Sequence, residues 1–182
     1  MKVSPLSIDG LMTITPSRFG DERGWFQETW SEPRLSEAGL KLEFQQDNMS
    51  FSRQSGTLRG LHCQLAPFDQ GKLVMVLSGA IRDVVVDVRT GSTSFGQHVA
   101  IELSEDNPTQ LWVPSGFLHG FITLQPDTRV CYKVTRPYSK DHDRSVAWND
   151  PDFNIDWGTD NPVLSDKDAQ APCLKDSDVS FS

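Results

Sequence analysis

Residues 72–89 read K-L-V-M-V-L-S-G-A-I-R-D-V-V-V-D-V-R, and this stretch decides the fold class. Two runs rich in β-branched residues flank Ser78 and Gly79, the pattern of two strands around a tight turn. Side chains alternate across a strand, so Val84, Val86 and Val88 share one face while Asp83, Val85 and Asp87 share the other. That alternation predicts a sheet with one apolar side. Further runs of the same kind cover 97–103, 109–113, 119–124 and 130–134, separated by N-P, P-S-G and P-D turn signals. Six or more strands at this spacing predict a mainly β sandwich or barrel. Helical signals are confined to 31–39, which closes on a glycine, and 165–171.

The chain has 182 residues, 37% of them hydrophobic, enough for one domain spanning 1–182. Such a domain buries roughly 70% of the surface its unfolded chain exposes. No run approaches the roughly 20 apolar residues of a membrane helix, and the opening M-K-V-S-P-L-S-I-D-G lacks a signal-peptide core. A cytoplasmic protein with no membrane partner is expected. Cys63, Cys131 and Cys173 are odd in number and far apart, which predicts reduced thiols rather than a disulfide framework or cysteine-based zinc site. The formal charge of −8 is concentrated in residues 148–182, where eight aspartates face two lysines. This disfavours nucleic acid as a partner but leaves room for a small anion held by local cations.

The four histidines, His62, His98, His119 and His142, are scattered without an H-x-H pair. No metal is expected, although a site assembled from distant strands stays open. ATP hydrolysis and nicotinamide redox chemistry lack their glycine-rich markers. What remains is a set of polar residues in strand-like context. D-E-R-G-W-F-Q-E gathers Arg23, Phe26 and Glu28. Q-D-N-M-S-F-S puts Gln46, Asn48, Ser50 and Ser52 on one face of any strand there, compatible with a solvated face or with the wall of a polar cavity. T-L-R-G-L-H-C-Q carries Arg59 and His62, and Lys72 starts the next strand. P-S-G-F-L-H-G-F carries His119, and Y-K-V-T-R-P-Y carries Tyr132 and Tyr138.

Together with L-S-D-K-D at 164–168, these blocks follow one another in an order that resembles, over nearly the whole chain, the dTDP-4-dehydrorhamnose 3,5-epimerase family of cupin-like sugar-nucleotide epimerases. The resemblance implies a cupin-like jelly-roll β-barrel with a few short helices, a homodimer, and no metal or organic cofactor. The substrate it implies is dTDP-4-dehydro-6-deoxy-D-glucose, inverted at carbons 3 and 5 beside its ketone. Such chemistry needs a base, an acid across the ring and a charge stabiliser at the ketone oxygen. By the family's pattern His62 is the base, Tyr132 the acid, Lys72 the cation near the enolate, and Asp168 the partner that orients His62. The same pattern assigns Arg59 and His119 to the sugar and diphosphate. It places Arg23, Phe26, Glu28, Gln46 and Asn48 around the nucleotide, with Tyr138 offering a flat face to a base or sugar.

Several of these residues also have a plainer reading, His62 as a satisfied core histidine were it not for the motif around it. Ser165-x-x-Asp168 is a helix-capping pattern. Tyr132 shares a strand face with Val130 and Val134 and is suited to packing. Lys72 fits a strand-edge charge that guards against aggregation, and Arg23 a surface ion pair with Asp21 or Glu22. Cys63 stands where the family commonly has an aromatic; its parity is opposite to that of His62, so on a regular strand it points away. At the level of function, the alternatives are an epimerase acting on one carbon only, a non-catalytic sugar-nucleotide-binding barrel, and a metal-dependent cupin enzyme. Strict alternation also sets Arg59 against His62. If both serve one site, the strand must break near Gly60, where a bulge or close backbone approach is expected.

Overall fold

A computed structural model describes residues 1–181. Its strands in chain order are β1 (Lys2–Pro5), β2 (Met12–Thr15), β3 (Arg18–Asp21), β4 (Gly24–Gln27), β5 (Gln46–Ser52), β6 (Leu58–Gln64), β7 (Lys72–Ser78), β8 (Ala80–Asp87), β9 (His98–Ser104), β10 (Gln110–Val113), β11 (Phe117–Thr123), β12 (Thr128–Val134) and β13 (Asp143–Ser145). The expected helices are α1 (Glu32–Glu37) and α2 (Asp166–Ala169). A six-stranded antiparallel sheet, β1-β2-β10-β7-β12-β5, packs face to face with a five-stranded one, β13-β6-β11-β8-β9. This is the cupin-like jelly roll.

The two strands of the decisive stretch, β7 and β8, are both present but do not pair with each other. β7 lies between β10 and β12, and β8 lies between β11 and β9 in the opposite sheet. Gly79 is therefore a corner where the chain crosses from one sheet to the other. Its φ of +80° suits glycine, and a Cβ there would sit 2.3 Å from Thr128 Oγ1. Turn chemistry is local, whereas pairing is decided by which faces become buried. The sequence signature of the turn does not separate the two outcomes.

The space between the sheets is filled by Val74, Ile81, Val85, Leu103, Leu111, Phe117, Phe121 and Val130. The expectation of a single apolar side for β8 is corrected here, because both of its faces are buried. Val84, Val86 and Val88 lie under the C-terminal segment, against Phe153 and Trp157. Asp83 and Asp87, on the inner side with Val85, are fully buried at 0% exposure. Asp87 is accommodated by four neighbouring donors: the Arg89 guanidinium, the Arg89 backbone N–H, and the Ser92 and Ser94 hydroxyls. Burial pushes its carboxyl up, but these bonds outweigh that effect and hold it well below the usual carboxylate range. On the other outer face, Ile14, Leu73 and Trp112 are covered by Leu35, Leu40 and Leu42 of the α1 region. Each sheet thus has its own outer cover, and one end of the gap between the sheets remains polar.

β3 and β4 pair only with each other. This hairpin joins neither large sheet's ladder, touching the barrel through the Arg18 guanidinium bond to the Glu105 carbonyl at 3.1 Å, and it leaves Phe19, Trp25 and Phe26 exposed at 62%, 60% and 69%.

Candidate active site

The site begins with a break in β6. In the β6–β11 ladder His62 pairs with His119 and Arg59 with Phe121, so β6 carries one more residue than β11 over this interval. That is a β-bulge, and it resets the alternation so that Arg59 and His62 line the same cavity. Gly60, within the bulge, has φ +130°, and a Cβ on it would lie 2.6 Å from Gly120 Cα and 2.9 Å from the His119 carbonyl oxygen. The Gly60–Leu61 peptide is cis. The expected irregularity near Gly60 is present.

The cavity has two adjoining chambers, of about 330 and 260 Å³, which share His62, Lys72, Tyr132 and Lys167. The first is also lined by Gln46, Asn48 and Tyr138, and the second by Arg59, His119 and Asp168. The alternating row on β5 is therefore a cavity wall rather than a solvated face.

His62 Nε2 lies 2.5 Å from Asp168 Oδ1. The Ser165 hydroxyl donates to Asp168 Oδ2 at 2.8 Å and accepts from the Asp168 backbone N–H at 3.2 Å. The capping and pairing readings of Asp168 are thus both true: the cap of α2 fixes the carboxylate that meets the histidine. Burial pushes this carboxyl up, but the hydrogen bond and charge of His62, helped by Ser165 and Lys167, bring it below the usual range.

Lys72 and Tyr132 come from the facing sheet. Burial pushes the Lys72 ammonium down, outweighing the opposite pull of Cys63, Asp83 and Asp143. Among the described residues, no carboxylate lies within ion-pair distance of it. Burial pushes the Tyr132 phenol up against the opposing charge of Arg59. Tyr132 also packs on the core between the sheets, so its packing role coexists with its place in the cavity.

A second histidine–carboxylate contact stands beside the first. His119 Nε2 is 2.8 Å from the buried Asp83 Oδ1. The Arg59 guanidinium is aimed by bonds to the Phe51 carbonyl at 2.9 Å and the Ser52 hydroxyl at 3.2 Å. At the rim, Gln46 Nε2 donates to Asn48 Oδ1 at 2.7 Å, and the Tyr138 hydroxyl donates to Asp143 Oδ2 at 3.3 Å.

Arg23, Phe26 and Glu28 do not join this cavity. The reason is the isolation of the β3–β4 hairpin: Arg23 is paired with Asp21 at its turn, as the surface-pair reading expects, and Phe26 is exposed on β4. Glu28, just beyond β4, is 3.2 Å from Arg34 Nε. The structure instead adds Ser50, Gln64, Asp83, Asp143 and Lys167. Lys167 Nζ donates to Asp143 Oδ2 at 2.5 Å. Ser50 and Lys167 lie within motifs already singled out, and Gln64 shares the parity of His62. Asp143, on a three-residue strand in turn-like surroundings, carries no sequence signal. Cys63 is buried in the cluster behind its sheet while also bordering the first chamber, and burial pushes its thiol up to about 12. Among the described residues, no group of three or more His, Cys, Asp or Glu converges as metal ligands, and no helix is long and apolar enough to cross a membrane.

With a hydrogen-bonded imidazole on one sheet and a phenol on the other, the cavity is equipped to move protons across a molecule bound between them. Fold and site together define an acid–base isomerase built on a cupin-like barrel. The chain belongs to the dTDP-4-dehydrorhamnose 3,5-epimerase family, whose model matches residues 5–176. Among its relatives, the dTDP-4-dehydrorhamnose 3,5-epimerase of Sinorhizobium fredii is 50% identical over 182 residues, covering 100% of this chain and 93% of the relative. A solved Bacillus anthracis enzyme of the same description, with TDP and PPi bound, is 47% identical with a TM-score of 0.93, over 95% of this chain and 99% of that one. A Legionella pneumophila dTDP-6-deoxy-D-glucose-3,5-epimerase in complex with dTDP-4-keto-L-rhamnose is 44% identical with a TM-score of 0.92, over 97% and 94% of the two chains.

Proposed function

We propose that this chain inverts carbons 3 and 5 of dTDP-4-dehydro-6-deoxy-D-glucose through enolate intermediates, giving dTDP-4-dehydro-L-rhamnose without a cofactor. The observation that carries the reading is the placement of His62 and Tyr132 on opposite sheets, facing one cavity. Inversion beside a ketone requires a proton to leave one face of the ring and return to the other. His62 takes the proton while the Asp168 carboxylate balances the imidazolium that forms. Lys72, an enclosed cation without a carboxylate partner among the described residues, meets the negative charge developing on the ketone oxygen. Tyr132 returns a proton from the far side, and exchange with solvent restores both groups. General acid–base catalysis of this kind contributes about 10²–10⁴-fold.

Arg59 and His119 bind the diphosphate region, with Asp83 holding His119; a guanidinium suits phosphate oxygens. Gln46, Asn48 and Tyr138 bound the nucleotide. Arg23, Phe26 and Glu28 reach a nucleotide only if they come from a second copy. The exposed aromatics of the β3–β4 arm support a homodimer in which each arm closes its partner's cavity. Residues 1–182 act as one domain per copy, in the cytoplasm where nucleotide sugars are made. Light scattering tests the assembly, and a fully active monomer would exclude the exchange of arms.

The reaction is tested by incubating the protein with dTDP-4-dehydro-6-deoxy-D-glucose in D₂O and locating deuterium by NMR. Uptake at carbons 3 and 5 is expected. Uptake confined to carbon 3 would select a single-carbon epimerase, and binding without uptake at either carbon would reduce the protein to a binding barrel.

A further inference from the structure

We infer that Gln64 is a positioning residue that sets nucleotide affinity by fixing Tyr138 across the mouth of the cavity. The inference rests on the sugar-nucleotide reading above and adds a part to it. Gln64 is 4% exposed, lies two residues from His62 on β6 and lines the first chamber. A glutamine amide offers two donor hydrogens and an acceptor oxygen. Here Nε2 donates to the Phe68 carbonyl at 2.8 Å and to the Pro137 carbonyl at 3.2 Å, while Oε1 accepts from the Ser139 backbone N–H at 2.7 Å. The last two contacts bracket Tyr138 on either side. Between them, the Tyr138 backbone N–H donates to Gln46 Oε1 at 3.0 Å.

Gln64 belongs to the five-stranded sheet and Gln46 to the six-stranded one. Three successive residues, Pro137, Tyr138 and Ser139, are thus pinned to both walls of the barrel at the point where those walls open. Connecting segments are ordinarily the mobile part of a protein surface. Both amide hydrogens of Gln64 are spent on main-chain carbonyls, so its effect on a ligand runs through the loops it holds rather than through a contact of its own. What it controls is the presentation of the Tyr138 ring, which is 56% exposed. An aromatic already held in place stacks on a base without first losing conformational freedom, and the saving appears as affinity. The bond to Phe68 ties the 66–70 loop, which carries the chamber-lining Gln70, to the same anchor.

The test measures the Kd of dTDP by calorimetry for the wild type, Gln64→Leu, Tyr138→Ala and the double variant, with a thermal melt of each to establish folding. Gln64→Leu is expected to bind about tenfold more weakly, and Tyr138→Ala to lose a comparable factor of about ten through stacking. The double variant is expected to fall within about twofold of Tyr138→Ala, because both changes remove one interaction. With the sugar nucleotide, the loss in Gln64→Leu falls on KM more than on kcat. Should the leucine variant fail to fold, Gln64→Glu takes its place: it keeps the shape and the Ser139 bond but sets a carboxylate against two carbonyls, and the same weakening is expected. A folded Gln64 variant that binds dTDP as the wild type does, or losses that multiply in the double variant, would overturn the inference while leaving the epimerase reading intact. A wild type that fails to bind dTDP would overturn that reading and the inference with it.

Discussion

Lys72→Met is expected to make the protein more stable and nearly inactive. The Lys72 ammonium has no carboxylate within ion-pair distance among the described residues, and burial already pushes it toward its neutral form. Methionine keeps the unbranched stem and removes the charge, so the folded state is relieved of a desolvated cation. Replacing buried ionic groups by well-packed apolar ones stabilises by about 1–4 kcal/mol. For one half-buried side chain the lower end applies, about 1 kcal/mol, or about 3 °C in Tm for a chain of this length. The pH dependence follows from the direction of the shift. The unfolded chain keeps this proton up to about pH 10.4, whereas the folded protein releases it earlier. Between those two points the unfolded state binds more protons, so wild-type stability rises with pH. The advantage of the variant is therefore full at neutral pH, shrinks as pH rises through the folded-state value, and is gone above about 10.4. Activity moves the other way, because loss of one donor at a developing oxyanion costs about 10²–10³ in kcat. Calorimetric melting across the pH range measures the first effect, and deuterium uptake from D₂O measures the second. A variant less stable than its parent, or one whose advantage persists above about pH 10.4, would refute the assignment of an unpaired, half-buried cation. Unchanged uptake would remove Lys72 from the chemistry.

Two further outcomes follow from the geometry of β6 and α2. Asp168→Asn preserves the shape that meets Ser165 but loses the charge opposite His62, and kcat is expected to fall by about 10²–10⁴. Because the folded carboxyl sits below its usual range, its contribution to stability is full above about pH 3.9 and is lost as pH falls through the folded value. Urea titrations of the wild type and this variant should therefore converge on acidification, and a variant with wild-type turnover would place Asp168 outside the mechanism. Gly60→Ala sets a Cβ 2.6 Å from Gly120 Cα at φ +130°. Backbone strain and overlap together are expected to remove about 3 kcal/mol or more, read from the urea midpoint. An alanine variant as stable as the parent would contradict the bulge.

Much of the cavity lining is legible because its side chains sit on strands, where parity tells which face they share. Gln46, Asn48 and Ser50 illustrate this, and the one violation of parity, between Arg59 and His62, announced itself through Gly60. The corner at Gly79 was not legible as such. A glycine with positive φ serves a hairpin and a sheet-to-sheet crossing equally well, and only long-range burial separates them. The two buried faces of β8 escape the sequence for a related reason: Asp83 and Asp87 have the character of solvent-facing residues, and only the fold supplies His119 and Arg89 in place of solvent. Arg23, Phe26 and Glu28 show the limit of motif reasoning, since a motif groups residues along the sequence while the β3–β4 hairpin that carries them leaves them outside the cavity.

His62 and Tyr132 hang from different sheets, and this bears on how barrels of this family diversify. The separation between His62 and Tyr132 is a property of the apolar residues that hold the sheets apart, Val74, Val85, Phe117 and Val130 among them. Facing sheets stand about 10 Å apart, with a spacing set by interdigitating side chains. The core therefore works as a gauge block between two jaws. A change of one methylene deep in it alters the bite on the ring while every reactive group keeps its identity and hydrogen bonds. Selection for a new sugar can act on the filling of the barrel as readily as on the lining of its cavity.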